Sequence, residues 1–313
     1  MRIEAVLRRL LQAPPTPRPI DDLATWWARH FEVARDAVTP VHRAMLAGFS
    51  VDRPAYAFAS GYLVALRCLL GAAAPALGMV KLALCATKPG GAHPRAIQTR
   101  LEPDGDGFVL TGLKTYATLG SHADGYIVLA SEGSDAQGKN RLAAVRVAAG
   151  RAGVRVEEIT GQGLPIVPEI PHARLHFDRV RVWPGERLPG DGYEAYLKPF
   201  RTVEDCHVYA AILAWVLQVG RGAAWPESVL EEIVLGLAAI SAIATANPIR
   251  PSTHVALAGL LAHSERVLRD SESCWSSVEP ETRARWLRDR ALLQVAGKAR
   301  AQRREVAWTR LRG

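Results

Sequence analysis

Two segments near the middle of the chain combine residue types that suit the binding of a small ligand. The first reads Leu-Cys-Ala-Thr-Lys-Pro-Gly-Gly-Ala-His from Leu84 to His93 and brings a hydroxyl, a lysine and backbone N–H groups together after an apolar run. Glycine lets such a loop approach a ligand closely and donate hydrogen bonds to it. The same pattern is also typical of a surface turn. The second segment, 111–124, carries threonine, lysine, tyrosine and histidine side chains.

The sequence lacks the motifs of several other kinds of binding and catalytic site. No Gly-x-Gly-x-x-Gly follows a predicted strand, and the sequence contains no P-loop, no Gly-x-Ser-x-Gly nucleophile elbow and no His-Glu-x-x-His pair. The four cysteines form no Cys-x-x-Cys pair. A thiolate zinc site and a disulfide framework are therefore not expected, and the cysteine usage indicates a reducing, cytoplasmic compartment.

The pattern of apolar and turn residues along the chain predicts three domains. Residues 1–80 form a shortened N-terminal helical domain, because apolar residues recur at helical spacing over 21–47, where Pro40 introduces a kink, and over 53–73. Residues 81–190 form a central β domain of short apolar or alternating runs separated by turn clusters. The predicted strands are 81–87, 96–102, 108–110, 114–118, 125–130, 142–147, 154–159 and 173–182. Closely spaced strands without helices between them indicate an antiparallel barrel or sandwich.

Residues 191–313 are predicted to form a C-terminal helical bundle, in which first-turn prolines mark the starts of three helices. The fold class is therefore α+β with several domains. The four helices are predicted at 193–220, 226–246, 251–277 and 280–311.

The charge of the chain is concentrated at its end. The 313 residues include 39 Lys and Arg against 31 Asp and Glu, a net charge of +8. Ten basic and three acidic residues lie between Glu281 and Gly313. Such a run is typical of a solvated helix face, and a surface for phosphates of a nucleotide or nucleic acid is the alternative. The longest uncharged runs are shorter than the roughly 20 residues of a membrane span, so a soluble protein is expected.

Taken together, the two segments resemble the middle domain of the acyl-CoA dehydrogenase family. Ala-Thr-Lys-Pro-Gly-Gly at 86–91 is similar to its Thr-Glu-Pro loop. Gly-Leu-Lys-Thr-Tyr-Ala-Thr-Leu-Gly at 112–120, followed by an Ala-Asp pair, is similar to its Gly-x-Lys-x-Trp-Ile-Thr-Asn-Gly strand. Residues 175–182 are similar to the closing strand of that domain. The resemblance implies the family's order of a helical domain, a β domain and a helical bundle, here without the closing helices.

The resemblance also implies FAD as the cofactor and assigns residues to it. Thr87 matches the threonine whose hydroxyl meets the pyrimidine edge of the flavin, and Ala86 matches the backbone contact before it. Thr118 matches the residue beside flavin N5, and Tyr116 replaces the tryptophan that covers the ring. An isoalloxazine needs both hydrogen-bond partners and an aromatic wall, which these types supply.

Departures from the family pattern affect the substrate and the base. His93 stands where the family has a serine near the pyrophosphate and thioester, so it is the candidate substrate-binding residue. The closing helices that carry the catalytic glutamate in most members are not recognised. Glu204, on the first C-terminal helix, is therefore the candidate base for the α proton. The alternative is that Glu204 and Asp205 are helix acids that pair with Arg201 or favour the helix dipole.

The resemblance implies an FAD-dependent oxidoreductase that dehydrogenates an acyl thioester between Cα and Cβ, on CoA or on a carrier protein. It also implies a homo-oligomer, dimer or tetramer. One alternative is a catalytically degenerate relative that acts as a binding, scaffold or DNA-associated protein. Another is a subunit whose active site a partner completes.

Overall fold

A computed structural model describes residues 2–34, 39–71, 80–86, 94, 97–159 and 166–313. The chain divides into two compact units. The helical unit comprises Met1–Ala65, Leu164–Glu169 and Thr202–Gly313, and the β unit comprises Leu66–Gly163 and Ile170–Arg201. The expected α+β class, with a strand-rich region between two helical regions, is confirmed. The division into three domains stays a prediction.

The β unit contains one sheet in the order β1-β4-β2-β3-β7-β6, with β5 on β4. β1 and β2 pair with β4 in parallel and the other neighbours are antiparallel, so the sheet is mixed and not wholly antiparallel as the strand spacing had suggested. Along the chain, the β2–β3 hairpin lies between the parallel neighbours β1 and β4. The strands are β1 Leu82–Cys85, β2 Arg100–Asp104, β3 Gly107–Thr118, β4 Gly125–Ser134, β5 Asn140–Ala148, β6 Val154–Glu158 and β7 His172–Val182.

One face of this sheet is covered by the core of the β unit. Alternate residues of the strands supply it, since successive side chains of a strand point to opposite faces. Its fully buried members are mainly aliphatic, with one tyrosine and one phenylalanine. They include Leu101, Leu110, Tyr126, Val128, Val145, Leu175 and Phe177.

Most of the described helices begin and end close to the predicted positions. The helix predicted at 193–220 is preceded by a π-helical turn at Gly192–Leu197, and the one predicted at 251–277 ends at Asp270 and is followed by a 3₁₀ segment, Glu272–Ser277. The expected kinked helix over 21–47 is two helices, because Pro40 is the first residue of α3 and the Thr39 hydroxyl accepts a hydrogen bond from the His42 N–H. The last predicted helix is divided by a 3₁₀ segment, Arg290–Gln294. The helices are α1 Ile3–Gln12, α2 Leu23–Ala34, α3 Pro40–Phe49, α4 Pro54–Leu70, α5 Lys198–Gly222, α6 Glu227–Ile243, α7 Pro251–Asp270, α8 Pro280–Asp289 and α9 Gly297–Arg312.

Two glycines allow α3 and α4 to lie directly against α5 in the helical unit. A Cβ on Gly48 would stand 2.1 Å from the Ala211 carbonyl oxygen, and one on Gly61 would stand 2.7 Å from that of His207. No side chain larger than hydrogen fits at such distances. α5 is accordingly buried on nearly all sides from 202 to 220. Among the described residues, no helix combines the length and hydropathy of a membrane span.

Candidate functional site

An irregularity in β3 determines where the predicted site residues point. Lys114 lies opposite Leu175 of β7, and Ala117 lies opposite Ala173, so two residues of β3 face one residue of β7 between these pairs. Such a bulge adds one residue to a strand and re-aims the side chains that follow. Lys114 and Ala117 are therefore both fully buried on the core side of the sheet. Tyr116 is half-buried and is turned to the other side.

We call the side of the sheet opposite its core the outer face. Tyr116 and Thr118 lie on the outer face together with a residue that the sequence motifs did not indicate. His172 lies directly opposite Thr118 in the register of β3 and β7. Its ring centroid is 4.4 Å from that of Tyr116, with the planes tilted by 35°. Both rings are half-buried. The structure thus brings two predicted residues, Tyr116 and Thr118, together with His172 on one surface of the sheet.

The outer face offers hydrogen bonds that the protein does not use. In the described part of the chain, neither the Tyr116 nor the Thr118 hydroxyl has a hydrogen-bond partner. Burial raises the pKa of the Tyr116 phenol, which therefore stays protonated at neutral pH and is able to donate. Burial also lowers the pKa of His172 to about 4, against an opposing contribution from the Ile170 backbone. The aromatic ring of Tyr116 and the two hydroxyls suit a flat ligand with polar edges.

The turn after Thr118 is strained and firmly held. Leu119 is buried and has φ of 62°, in the left-handed region that a leucine rarely adopts. Its N–H donates to the Pro171 carbonyl at 2.8 Å, and the Tyr126 hydroxyl donates to the Gly120 carbonyl at 3.0 Å. A left-handed residue other than glycine costs on the order of 1 kcal/mol, and such strained residues occur in turns and in ligand-binding sites. The strain is located directly beside Thr118.

Below the outer face, β3 is tied to β4 by a buried lysine. Lys114 is fully buried and its Nζ donates to the Leu129 carbonyl at 2.5 Å. Burial raises the pKa of the nearby Cys85 thiol to about 12, although the charge of Lys114 acts in the opposite direction. Cys85 therefore stays a neutral thiol and is not suited to act as a nucleophile.

The remaining predicted flavin and substrate residues follow β1 in the sequence. Ala86 is buried immediately after this strand. Thr87 and His93 lie outside the described residues. Their roles stay predictions.

Glu204 belongs to the helical unit, where it is half-buried on α5. Burial opposes the charge of Arg300 on α9, but the charges of Asp205 and, to a smaller extent, Glu204 raise the pKa of that guanidinium above its ordinary value. Asp205 is fully buried and accepts hydrogen bonds from Arg300 at 2.7 Å and Arg303 at 2.6 Å. The acids of α5 thus face arginines from the end of the chain.

The basic C-terminal segment is in part an internal ion-pair network. Arg288 donates to Glu169 and Asp289, and Arg290 donates to Glu272. Of the ten basic residues between 281 and 313, five hydrogen-bond to carboxylates in the described structure, so the segment is not one continuous cationic surface. These five are Arg285, Arg288, Arg290, Arg300 and Arg303.

A comparison with known protein families finds a match for the β-strand region of the chain. Residues 83–180 match the family described as acyl-CoA dehydrogenase, middle domain. This range contains Ala86, Tyr116, Thr118 and His172, which are all the site residues described in the β unit. No curated protein matches the chain.

Solved structures extend the similarity over nearly the whole chain at low identity. PigA with FAD and proline aligns with a TM-score of 0.70 at 13% identity, over 99% of this chain and 94% of that chain. The prolyl acyl carrier protein oxidase AnaB aligns with 0.69 at 15%, over 99% and 97%. Glutaryl-CoA dehydrogenase from Mycobacterium smegmatis aligns with 0.64 at 15%, over 98% and 93%. The resemblance to the acyl-CoA dehydrogenase family is thus confirmed, by the sequence of residues 83–180 and by the fold of the chain.

Proposed function

We propose that the protein is an FAD-dependent oxidoreductase that dehydrogenates an acyl thioester between Cα and Cβ. The observation that carries this proposal is the outer face of β3 and β7, where Tyr116 and Thr118, beside His172, present an aromatic ring and two hydroxyls that bind no other described residue. This face lies in the segment that matches the family's middle domain. A flat ring with polar edges fits that donor set.

Different residues of the chain bind the flavin and transfer the proton of the substrate. Tyr116 covers the flavin ring, Thr118 donates a hydrogen bond at its edge, and Ala86 and Thr87 meet its pyrimidine end. When bound, FAD supplies the acceptor for the hydride that leaves Cβ of the substrate. Glu204 takes the α proton, so that the C–H electron pair left at Cα forms the new double bond. The positive charge of Arg300 favours the ionised carboxylate that such a base requires.

The substrate class follows from the thioester chemistry and from the relatives. One similar structure is a prolyl acyl carrier protein oxidase and another is a glutaryl-CoA dehydrogenase. We infer an acyl group on CoA or on a carrier protein, with His93 beside the thioester. We also infer that the protein is a homo-oligomer located in the cytoplasm. A binding or scaffold protein without redox activity is the second candidate, favoured by the five basic residues of the C-terminal segment that contact no carboxylate within the described part of the chain.

The reaction is tested by loading the protein with FAD and adding acyl thioesters in the absence of oxygen. We expect the flavin absorbance near 450 nm to bleach with at least one thioester of CoA or carrier protein, because reduced flavin absorbs weakly there. Glu204→Gln is expected to slow bleaching by about 100-fold or more, the range for loss of a general base. Glu231→Gln, an exposed acid of α6, is the matched control and should bleach as the wild type does.

Two results separate the parts of this proposal. Equal bleaching rates for Glu204→Gln and the wild type would show that the base is another residue. If the protein binds FAD but no thioester bleaches the flavin, the proposed reaction is refuted and flavin binding is retained.

A further inference from the structure

The ring of Tyr116 contacts a neighbouring ring on the same surface of the sheet. His172 packs against it, with 4.4 Å between the two ring centroids. This separation is at the short end of the range for aromatic pairs. A tyrosine on an open strand surface is otherwise free to change its χ1 rotamer. Contact with His172 therefore restricts the orientation of the Tyr116 ring.

The backbone around His172 is fixed on both sides. The Pro171 carbonyl accepts a hydrogen bond from the Leu119 N–H at 2.8 Å, and the His172 carbonyl accepts one from the Ile159 N–H at 2.8 Å. The position of the imidazole is thus set by the same register that places Thr118. Because burial holds the pKa of His172 at about 4, the ring is uncharged at neutral pH and packs as a flat, neutral surface.

We propose that His172 is a positioning residue of the flavin site, which holds the Tyr116 ring in the orientation that covers the bound flavin. This inference rests on the proposed function, since it assigns His172 a part in the same site. His172 acts through Tyr116 and not by contact with the flavin. It follows that another aromatic ring at position 172 preserves the effect, and that the effect disappears when Tyr116 is removed.

The test is a double-mutant cycle on FAD binding. The dissociation constant of FAD and the visible circular dichroism of the bound flavin are measured for the wild type, His172→Ala, His172→Phe, Tyr116→Leu and the double variant His172→Ala/Tyr116→Leu. His176→Ala is the matched control, since His176 is a half-buried histidine of the same strand that contacts Glu157. The circular dichroism reports on the asymmetry around the flavin, which a general loss of stability does not change.

We expect His172→Ala to weaken FAD binding by about twofold to tenfold, the range that corresponds to loss of one aromatic pair. It should also reduce the visible circular dichroism. His172→Phe and His176→Ala should stay within about twofold of the wild type, and His172→Ala should have no further effect in the Tyr116→Leu protein. An equal loss with and without Tyr116, an equal loss for the Phe and Ala variants, or no loss at all would overturn the inference. If His172→Ala does not fold, the Phe variant decides: binding or dichroism far from the wild type overturns it.

Failure of the proposed function gives a different result. A wild-type protein that binds no FAD refutes that function, and the ring pair is then judged in the protein without ligand. The C–H proton resonances of His172, assigned from His172→Phe, should move in Tyr116→Leu because the ring current of the phenol is lost. Unmoved resonances would show that His172 does not hold Tyr116.

Discussion

His207 provides a direct link between the structure and the pH dependence of stability. It is fully buried on α5, and its Nδ1–H donates to the Val203 carbonyl at 2.7 Å. Burial lowers its pKa from the ordinary 6.5 to about 4 in the folded protein, although the hydrogen bond to Val203 acts in the opposite direction. The His207 imidazole therefore binds a proton near pH 6.5 in the unfolded chain but only near pH 4 in the folded protein. Folding is thus favoured above pH 6.5, and this contribution is lost as the pH falls toward 4.

The size of the effect follows from the difference between the two pKa values. One pKa unit corresponds to 1.36 kcal/mol, so the full loss is on the order of 3 kcal/mol and the loss between pH 7 and pH 5 is about 2 kcal/mol. The assay is urea unfolding at pH 7 and pH 5, followed by the helical circular dichroism signal. His207→Asn keeps an N–H donor near the Val203 carbonyl but does not titrate. We expect the wild type to lose about 2 kcal/mol more between these pH values than His207→Asn does.

The comparison within each protein removes contributions that the variants share. His122→Asn is the matched control, because His122 is exposed in the β unit. This variant should retain the full pH dependence of the wild type. If His207→Asn also retained it, the proton that destabilises the protein at pH 5 would bind elsewhere, and the account of His207 as a buried neutral group would be wrong.

Two further substitutions test the packing of the helical unit by denaturation midpoints at pH 7. Asp205→Asn removes the buried counter-charge of two half-buried arginines of α9 and is expected to cost about 3–5 kcal/mol. Glu272→Gln, which breaks an exposed pair with Arg290, should cost at most about 1 kcal/mol. Similar losses for both would contradict the buried network. Gly48→Ala places a Cβ against the backbone of α5 and should destabilise the protein by at least about 1–3 kcal/mol. Gly259→Ala, in open space on α7, is expected to stabilise it by up to about 1 kcal/mol. Tolerance of Gly48→Ala would show that α3 does not approach α5 so closely.

Local patterns predicted the elements of this fold better than their pairing. Alternation in the β region identified every strand position, but β3 was expected as two short runs around 108–110 and 114–118. It is continuous because Gly112, with φ of 144°, passes Thr99 so closely that a Cβ would lie 2.7 Å from the Thr99 Cα. A glycine that permits close approach within a strand looks the same in the sequence as one that ends it.

The site was predictable only where it lies on one strand. Tyr116 and Thr118 were identified from a single motif, whereas His172 depends on the register between β3 and β7, which the bulge at Thr115 and Tyr116 shifts by one residue. No periodicity specifies that shift. The contacts of Asp205 with arginines of α9 were hidden for a related reason: the partners are almost a hundred residues apart, so charge composition alone indicated a solvated face.

FAD retention by variants of the outer face shows whether β3 carries the flavin site. The purified protein is incubated with excess FAD, passed through gel filtration, and its visible spectrum and flavin content are measured. We expect about one FAD per chain for the wild type and for Thr111→Ala, an exposed threonine of the same strand. Tyr116→Leu and Thr118→Ala should each weaken FAD binding, by about tenfold for loss of a stacked ring or a hydrogen bond. A colourless wild-type protein, or equal FAD retention by all four proteins, would contradict the assignment of this face as the flavin site.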